Sequence, residues 1–434
     1  MSEEQVKVNT LLEGDDYART PVPEDKRKSW VSTAAVYIGS CICLSAFMLG
    51  GTLATGLSLG NAIIATLVGT AVLAVMTCVC STVALHNHLS TSMIARFTFG
   101  IRGAAIVGLM YALCAWGWFG VQVGLFADSV AAIINMWTGA TVSGGAIKVI
   151  ILIGGILMTS SAIIGYKSIE RLSLIAIPLL AILMVVATVK ACSNGIVDMG
   201  VKEPITMGFA ISYVISSYIA GAVGSPDVMR YGRNMRDTVL SVVFGLVVGY
   251  GTAIILALIC AKAAGEANIV YVMINLGMGV LAMIVLILAQ WTSNDNNIYS
   301  ASLGFSVVFE KMPKYQLAII AGVVGTLFAV FGISNNLIWL FSILGIFTPP
   351  IGGVYVADFF LDRKYYDFEN LKNVPRFRPE TLAAYFIASA VGFVTTYTSV
   401  QLTTIPALDT LLCALILEFI FVKAFNKDHT KGIF

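Results

Sequence analysis

The sequence predicts an all-α integral membrane protein. Twelve transmembrane helices are expected: ten as an inverted 5+5 repeat, then two more at the C-terminal end. Three observations lead there. Apolar runs of about 20 residues, each long enough to cross a hydrocarbon core of about 30 Å, recur from Trp30 to Phe425. Basic residues fall almost entirely on alternate connections between those runs. Two runs, five spans apart, are interrupted by the same kind of small and hydroxyl-bearing residues.

The first observation is carried by composition. Of 434 residues, 58% are hydrophobic and 12% charged, where soluble domains carry roughly 25% charged residues. The runs are continuous rather than alternating, which argues against a β-barrel. The spans are expected near 30–56, 59–85, 104–134, 146–165, 171–192, 206–224, 237–262, 273–303, 317–332, 335–359, 381–400 and 404–424. Residues 1–29 then form an N-terminal tail, 30–192 the first repeat (helices one to five) and 206–359 the second (helices six to ten). A charged loop over 361–380 precedes the final pair, 381–424, and a tail over 425–434.

Counting Lys and Arg along this scheme puts 22 of 26 on one side and leaves only Lys148, Lys190, Lys202 and Lys262 on the other. Cytoplasmic connections hold the excess of basic residues, so both tails and the 361–380 loop are expected in the cytoplasm. The protein is expected in the cell membrane (the inner membrane of a bacterium). The polar N-terminal residues contain no cleavable apolar core, so no signal peptide is expected. The net charge of +2 gives no reason to expect a nucleic-acid partner. Nearly all eight cysteines lie in apolar runs as packing residues, and Cys78-x-Cys80 lacks the second pair of a zinc site.

The interruptions come next. Span one contains Gly39-Ser-Cys-Ile-Cys-Leu-Ser45, followed by Gly50-Gly51. Span six contains Ser216-Ser-Tyr-Ile-Ala-Gly-Ala-Val-Gly-Ser-Pro226. Paired breaks in corresponding spans mark the ligand and ion sites of inverted-repeat carriers. Ordinary small-residue helix packing is the alternative.

Trp291-Thr-Ser-Asn-Asp-Asn-Asn-Ile-Tyr299 is the most polar stretch inside any span. Polar groups deep in hydrocarbon are costly and point to function. Ala289, Thr292 and Ser293 stand at i, i+3 and i+4, on one helix face. Two hydroxyls and the Ala289 carbonyl, with the carbonyls of Gly39 and Ile42 from an unwound span one, make five neutral oxygens. That set suits a monovalent cation better than a divalent one. The alternative is that both hydroxyls bond back to their own helix. Asn294 offers a donor and an acceptor to the edge of a heterocycle. Asp295 reads either as a proton carrier or as a structural acceptor. On span three, Trp118 and Gln122 lie one turn apart, a stacking face beside an edge-reading amide. Tyr218, at the expected break in span six, is the candidate opposing ring. Phosphate-binding loops, His-Glu-x-x-His and nucleophile–base pairs are missing from the sequence, so an enzyme is not expected.

These residues resemble the purine–cytosine permease group of the nucleobase–cation symporters. The likeness runs from Pro21 to the last span. It is carried by Gly50-Gly-Thr-Leu-Ala-Thr-Gly-Leu-Ser58, Ala95-Arg-Phe-Thr-Phe-Gly100, Gly117-Trp-Phe-Gly120, Asp227-Val-Met-Arg-Tyr-Gly-Arg-Asn234, Trp291-Thr-Ser-Asn-Asp-Asn296 and Pro349-Pro-Ile-Gly-Gly353. The resemblance implies a LeuT-type fold and sodium-coupled import of a nucleobase, cytosine foremost, by alternating access, with no cofactor and a monomer as the working unit. It implies a sodium site on Gly39, Ile42, Ala289, Thr292 and Ser293. It places Trp118, Ser217, Tyr218, Ala220, Gly221 and Asn294 around the base. Two positions depart from the members that carry cytosine. Cys43 stands where they have a phenylalanine packed on the base, and Ala115 where they have a substrate-binding glutamine. Gln122 instead matches the glutamine of other members. Another pyrimidine, a purine, hydantoin or allantoin, and proton coupling through Asp295, therefore stay open. An amino-acid carrier of the same fold is disfavoured by the missing Gly-x-Gly in span one, and a channel by the lack of a repeated filter sequence.

Overall fold

The computed structural model describes Tyr17 and residues 20–41, 44–164, 166–193, 200–309 and 312–425. They are almost wholly helical. In chain order the helices are α1 (Trp30–Cys41), α2 (Leu44–Gly56), α3 (Leu59–Asn87), α4 (Thr91–Phe99), α5 (Gly103–Thr138), α6 (Gly144–Ile164), α7 (Tyr166–Ser193), α8 (Met207–Val223) and α9 (Pro226–Met229). Then come α10 (Met235–Val242), a π-helical stretch (Val243–Tyr250), α11 (Gly251–Ala264), α12 (Ile269–Asn275), α13 (Gly279–Val308) and α14 (Lys314–Val330). The last are α15 (Leu337–Phe347), α16 (Pro349–Leu361), α17 (Pro379–Tyr397) and α18 (Pro406–Phe425).

Among the described residues, six helical segments are long and apolar enough to cross a membrane: Leu59–Asn87, Gly103–Thr138, Gly144–Ile163, Met207–Met229, Met235–Ala264 and Leu337–Leu361. Their surroundings are those of a membrane protein. Large apolar side chains face outward, with Val75, Ile156 and Leu281 at 64%, 69% and 73% exposure. Hydroxyls point inward instead. Thr66, Thr70, Thr77 and Ser81 on α3 are fully buried and donate to carbonyls four residues back at 2.6–2.8 Å. Without water nearby, a hydroxyl must find its partner in the protein.

Two packed groups organise the molecule. In one, α3 lies against α8 and α2 against α11. Gly50 makes the second contact possible, since a Cβ there would stand 2.7 Å from the Ile254 carbonyl oxygen. In the other, α5 packs on α13 and α14, and α6 on α14. Here Gly120 faces the Gly325 carbonyl so closely that a Cβ would lie at 2.8 Å. Small residues let helix backbones meet where lipid offers no hydrophobic drive. The second group has its own core of Phe119, Phe126, Met158 and Ile298. Helix α13 belongs to this group and also touches α1 and α7, so it forms the seam.

Two expectations change. Span six was expected to open within Ser216–Pro226, with Tyr218 at the break. Helix α8 runs unbroken to Val223, and the ladder breaks at Gly224–Ser225 ahead of Pro226, at the C-terminal end of that stretch. Proline lacks the N–H that would continue it. Tyr218 therefore sits within regular helix, not at a break. The stretch between spans two and three, expected only as a connection, contains α4, whose Ser90 side chain caps its N-terminus by accepting from the Met93 N–H. Ile42 and Cys43, where span one was expected to unwind, lie outside the described residues.

Candidate functional site

The polar block of α13 is buried against three neighbours. Thr292 and Ser293 are 1% and 5% exposed. Both hydroxyls donate to the Ala289 carbonyl, at 2.9 and 3.0 Å. The three oxygens thus converge within one turn, on the helix that packs against α1. Gly39, near the end of α1, is buried as well, and Ile42 is not described. These bonds are the alternative that the sequence left open, hydroxyls bonded back to their own helix.

Asn294 is fully buried and turns toward α5 and α6. Its amide N–H donates to the Phe119 carbonyl at 3.3 Å and approaches the Met158 sulfur at 3.1 Å, while its Oδ1 accepts from Asn297 at 3.2 Å. Both ends of the amide are thus engaged by protein groups, beside the Trp118 turn.

Asp295 has no exposed surface. The Ser161 hydroxyl on α6 donates to its Oδ1 at 2.7 Å and accepts from the Trp291 indole N–H at 2.7 Å. Its Oδ2 is buried without a hydrogen-bond partner. An unsatisfied carboxylate oxygen in hydrocarbon is costly, so this position is held against an energetic penalty.

Trp118 and Gln122 are buried, 8% and 2% exposed, on successive turns of α5. The indole lies 5.8 Å from the Phe341 ring at 49°, and Phe341 lies 6.2 Å from Tyr213 on α8. On α8 the Ser217 hydroxyl donates to the Val214 carbonyl at 2.7 Å and stands 2.6 Å from the Tyr250 hydroxyl. The Tyr218 ring lies 5.4 Å from the Tyr250 ring. It also folds over Gly221, where a Cβ would stand 2.5 Å from its edge. Ala220 and Gly221 are partly buried beside it. Cys43 falls outside the described residues.

Three partners escaped the sequence reading. Tyr250 was a lone phenol in an apolar run, flanked by Gly249 and Gly251. Ser161 lay in Thr159-Ser-Ser161. Gln290, fully buried, donates to Ser129 at 3.2 Å. The available signal was the same for all three: a polar side chain mid-span, which must have a partner.

A lipid-facing shell of helices around a buried wall of hydroxyls, amides, rings and one carboxyl defines a multi-pass membrane transport protein. The chain belongs to the family of permeases for cytosine/purines, uracil, thiamine and allantoin, whose sequence profile matches residues 21–415. Members of this family are permeases, not enzymes. The chain is 31% identical over 363 residues to the cytosine permease of Escherichia coli strain K12, covering 82% of this chain and 84% of that protein. It is 23% identical over 410 residues to the hydantoin permease of Microbacterium maritypicum, covering 84% and 81%. Among solved structures, the inward-facing conformation of Mhp1 superposes with a TM-score of 0.80 at 21% identity, covering 94% of this chain and 93% of that one. Mhp1, a nucleobase-cation-symport-1 family transporter, in a closed conformation with bromovinylhydantoin bound, gives 0.77 at 20% identity, covering 96% and 97%. A Na+-coupled sialic acid symporter gives 0.68 at 15% identity, covering 98% and 95%. These likenesses establish the fold.

Proposed function

We propose that this protein imports a nucleobase, cytosine foremost, by sodium symport through alternating access. The observation that carries the ion assignment is the convergence of the Ala289 carbonyl with the Thr292 and Ser293 hydroxyls at the seam with α1. Neutral oxygens suit a monovalent cation. Without an ion each hydroxyl donates to Ala289; with one bound, each turns its lone pair to the ion and stays satisfied. Gly39 and Ile42 complete the set from span one. The base stacks on Trp118 and is bounded by Ser217, Tyr218, Ala220 and Gly221 of α8, with Cys43 on the span-one side. Gln122 and Asn294 read its edge. For Asn294 this requires exchanging its contacts with Phe119 and Asn297 for the base.

The architecture that goes with this reading has twelve spans. Residues 30–192 and 206–359 form the inverted repeats, and 381–424 the extra pair. The tails 1–29 and 425–434 and the loop 361–380 are cytoplasmic, the protein sits in the inner membrane, and one chain is the working unit. The supports are the asymmetry of basic residues and the Mhp1-like fold.

A second reading, proton coupling or a different flat heterocycle, is favoured by two observations. Asp295 has a buried oxygen without a hydrogen-bond partner, and Cys43 and Ala115 stand where cytosine-carrying members differ. Uptake of radiolabelled bases into proteoliposomes, with and without an inward sodium gradient, tests the proposal. Cytosine uptake is expected to rise with the gradient and to lose that stimulation in Thr292→Ala. If no base is taken up under either condition, the transport reading fails. If Asp295→Asn removes the stimulation and Thr292→Ala does not, the ion assignment fails.

A further inference from the structure

The C-terminal halves of α16 and α18 leave a groove of about 430 Å³ between them on the outer surface. Val356 and Phe360 form one wall, and Leu415, Ile416, Phe419 and Ile420 the other. Phe360, Ile416, Phe419 and Ile420 are 47–58% exposed, so this is surface that lipid covers. Both walls run to the same membrane face. Helix α17 begins beside Arg378, which is paired with Asp358 near the end of α16. Helix α18 returns antiparallel to it, bringing Glu418 to the same charge cluster.

At that end two cations stand, one on each wall. The Arg363 guanidinium lies 4.9 Å from the Phe360 ring centre, and the Lys423 ammonium 4.0 Å from that of Phe419. Both rings line the groove. Among the described residues, no acidic side chain lines it. The nearest in sequence to Arg363, Asp362, accepts the Tyr365 backbone N–H at 3.3 Å. Two cations parked over aromatic rings at the mouth of an apolar groove leave their charge for an anion at the membrane boundary. A second copy of the chain seated here would have to bury both.

We propose that this groove binds one anionic glycerophospholipid, with an acyl chain between Phe360 and Phe419 and the headgroup phosphate between Arg363 and Lys423. A zwitterionic lipid fills the same groove but brings its own ammonium to the cationic mouth. The site is independent of which base is carried. On the orientation proposed above, it faces the cytoplasmic leaflet.

The full chain, delipidated and given equal phosphatidylglycerol and phosphatidylcholine of matched acyl chains, is assayed for retained lipid by native mass spectrometry. The wild type is expected to retain phosphatidylglycerol preferentially. Each juxtamembrane cation favours an anionic headgroup by about fivefold, so Arg363→Gln/Lys423→Gln is expected to erase a preference of roughly 25-fold. Ile416→Trp, which fills the groove, is expected to lower retention of both lipids. All three positions are exposed, and unchanged thermal unfolding without added lipid verifies that the variants fold. The proposal is overturned by equal retention of the two lipids by the wild type, or by a preference that survives the double Gln substitution. Retention untouched by Ile416→Trp, or a lipid-free dimer that Ile416→Trp disrupts, overturns it equally.

Discussion

Arg378 offers the sharpest test of how the C-terminal pair is fastened to the rest. Its guanidinium is 2% exposed and forks onto Asp358, which is 0% exposed, at 2.6 and 2.8 Å. It also donates to the Phe97 carbonyl on α4 at 3.0 Å and to Glu380 at 3.1 Å. Tyr366 donates to Asp358 at 2.6 Å and shares a hydrogen bond with Thr98 at 2.8 Å. One cation thus joins α4, α16 and the start of α17. Replacing it by Met leaves Asp358 buried with a single donor, beside the carboxyls of Glu380 and Glu418. Stranding one member of a buried pair costs about 3–5 kcal/mol, a large share of a typical stability of about 5–15 kcal/mol. Asp358→Asn removes the forked partner but leaves the guanidinium its ion pair with Glu380 and its bond to the Phe97 carbonyl, so it is expected to cost less. The double variant Asp358→Asn/Arg378→Met removes both charges and recovers much of the loss, giving a coupling energy of about 2–3 kcal/mol. Denaturant unfolding of all four proteins in mixed micelles measures it. Strictly additive losses, or single losses below about 1 kcal/mol as for solvated surface pairs, would refute this account of the anchor.

Three further outcomes are expected. Trp118→Ala is expected to weaken binding of the transported base by about 1–3 kcal/mol, the worth of one aromatic–base stack, with equilibrium binding of radiolabelled base as the measurement; unchanged affinity would remove Trp118 from the site. Ser161→Ala takes away the hydroxyl between the Trp291 indole and Asp295 and leaves both unpartnered there, a destabilisation of about 1–3 kcal/mol readable by thermal unfolding; Trp291→Phe in the same background should recover part of it. His88 lies outside the spans, 8% exposed, with Nδ1 2.8 Å from the Arg230 carbonyl, and burial holds its pKa below the ordinary 6.5 despite that carbonyl. The unfolded chain therefore takes up a proton that the folded one refuses, so the stability present above about pH 6.5 falls as the pH drops below it. His88→Asn, which tolerates the left-handed backbone there (φ 52°), should flatten that acid limb in unfolding measured from pH 7 to 5.

The sequence made the expensive residues visible and left their partners hidden. The Trp291–Tyr299 block could be found because nothing polar is buried in hydrocarbon without cause. The i, i+3, i+4 spacing put Ala289, Thr292 and Ser293 together because helix geometry is local. What Asp295 touches is not local. Ser161 is 134 residues away, and only the packing of α6 on α13 brings it there. The position of the break within Ser216–Pro226, beyond Tyr218, has the same origin. Ser216 and Ser217 suggested unwinding because a sequence shows hydroxyls without partners. In the fold Ser217 meets Tyr250 from the π-helical stretch, and Ser216 packs where Gly345 lets α15 approach, a Cβ at Gly345 standing 2.4 Å from its hydroxyl. With those side chains engaged by neighbouring helices, nothing forces α8 open until Gly224–Ser225, where Pro226 removes a donor. Asp358 and Arg378 are likewise visible in the sequence as charges, 20 residues apart. Their pairing depends on the turns of Arg363–Tyr366 and Phe368–Asn373 folding the loop back over α16. A membrane sequence therefore marks where a polar group must be satisfied, while the tertiary contact decides whether that satisfaction makes a site, a hinge or an anchor.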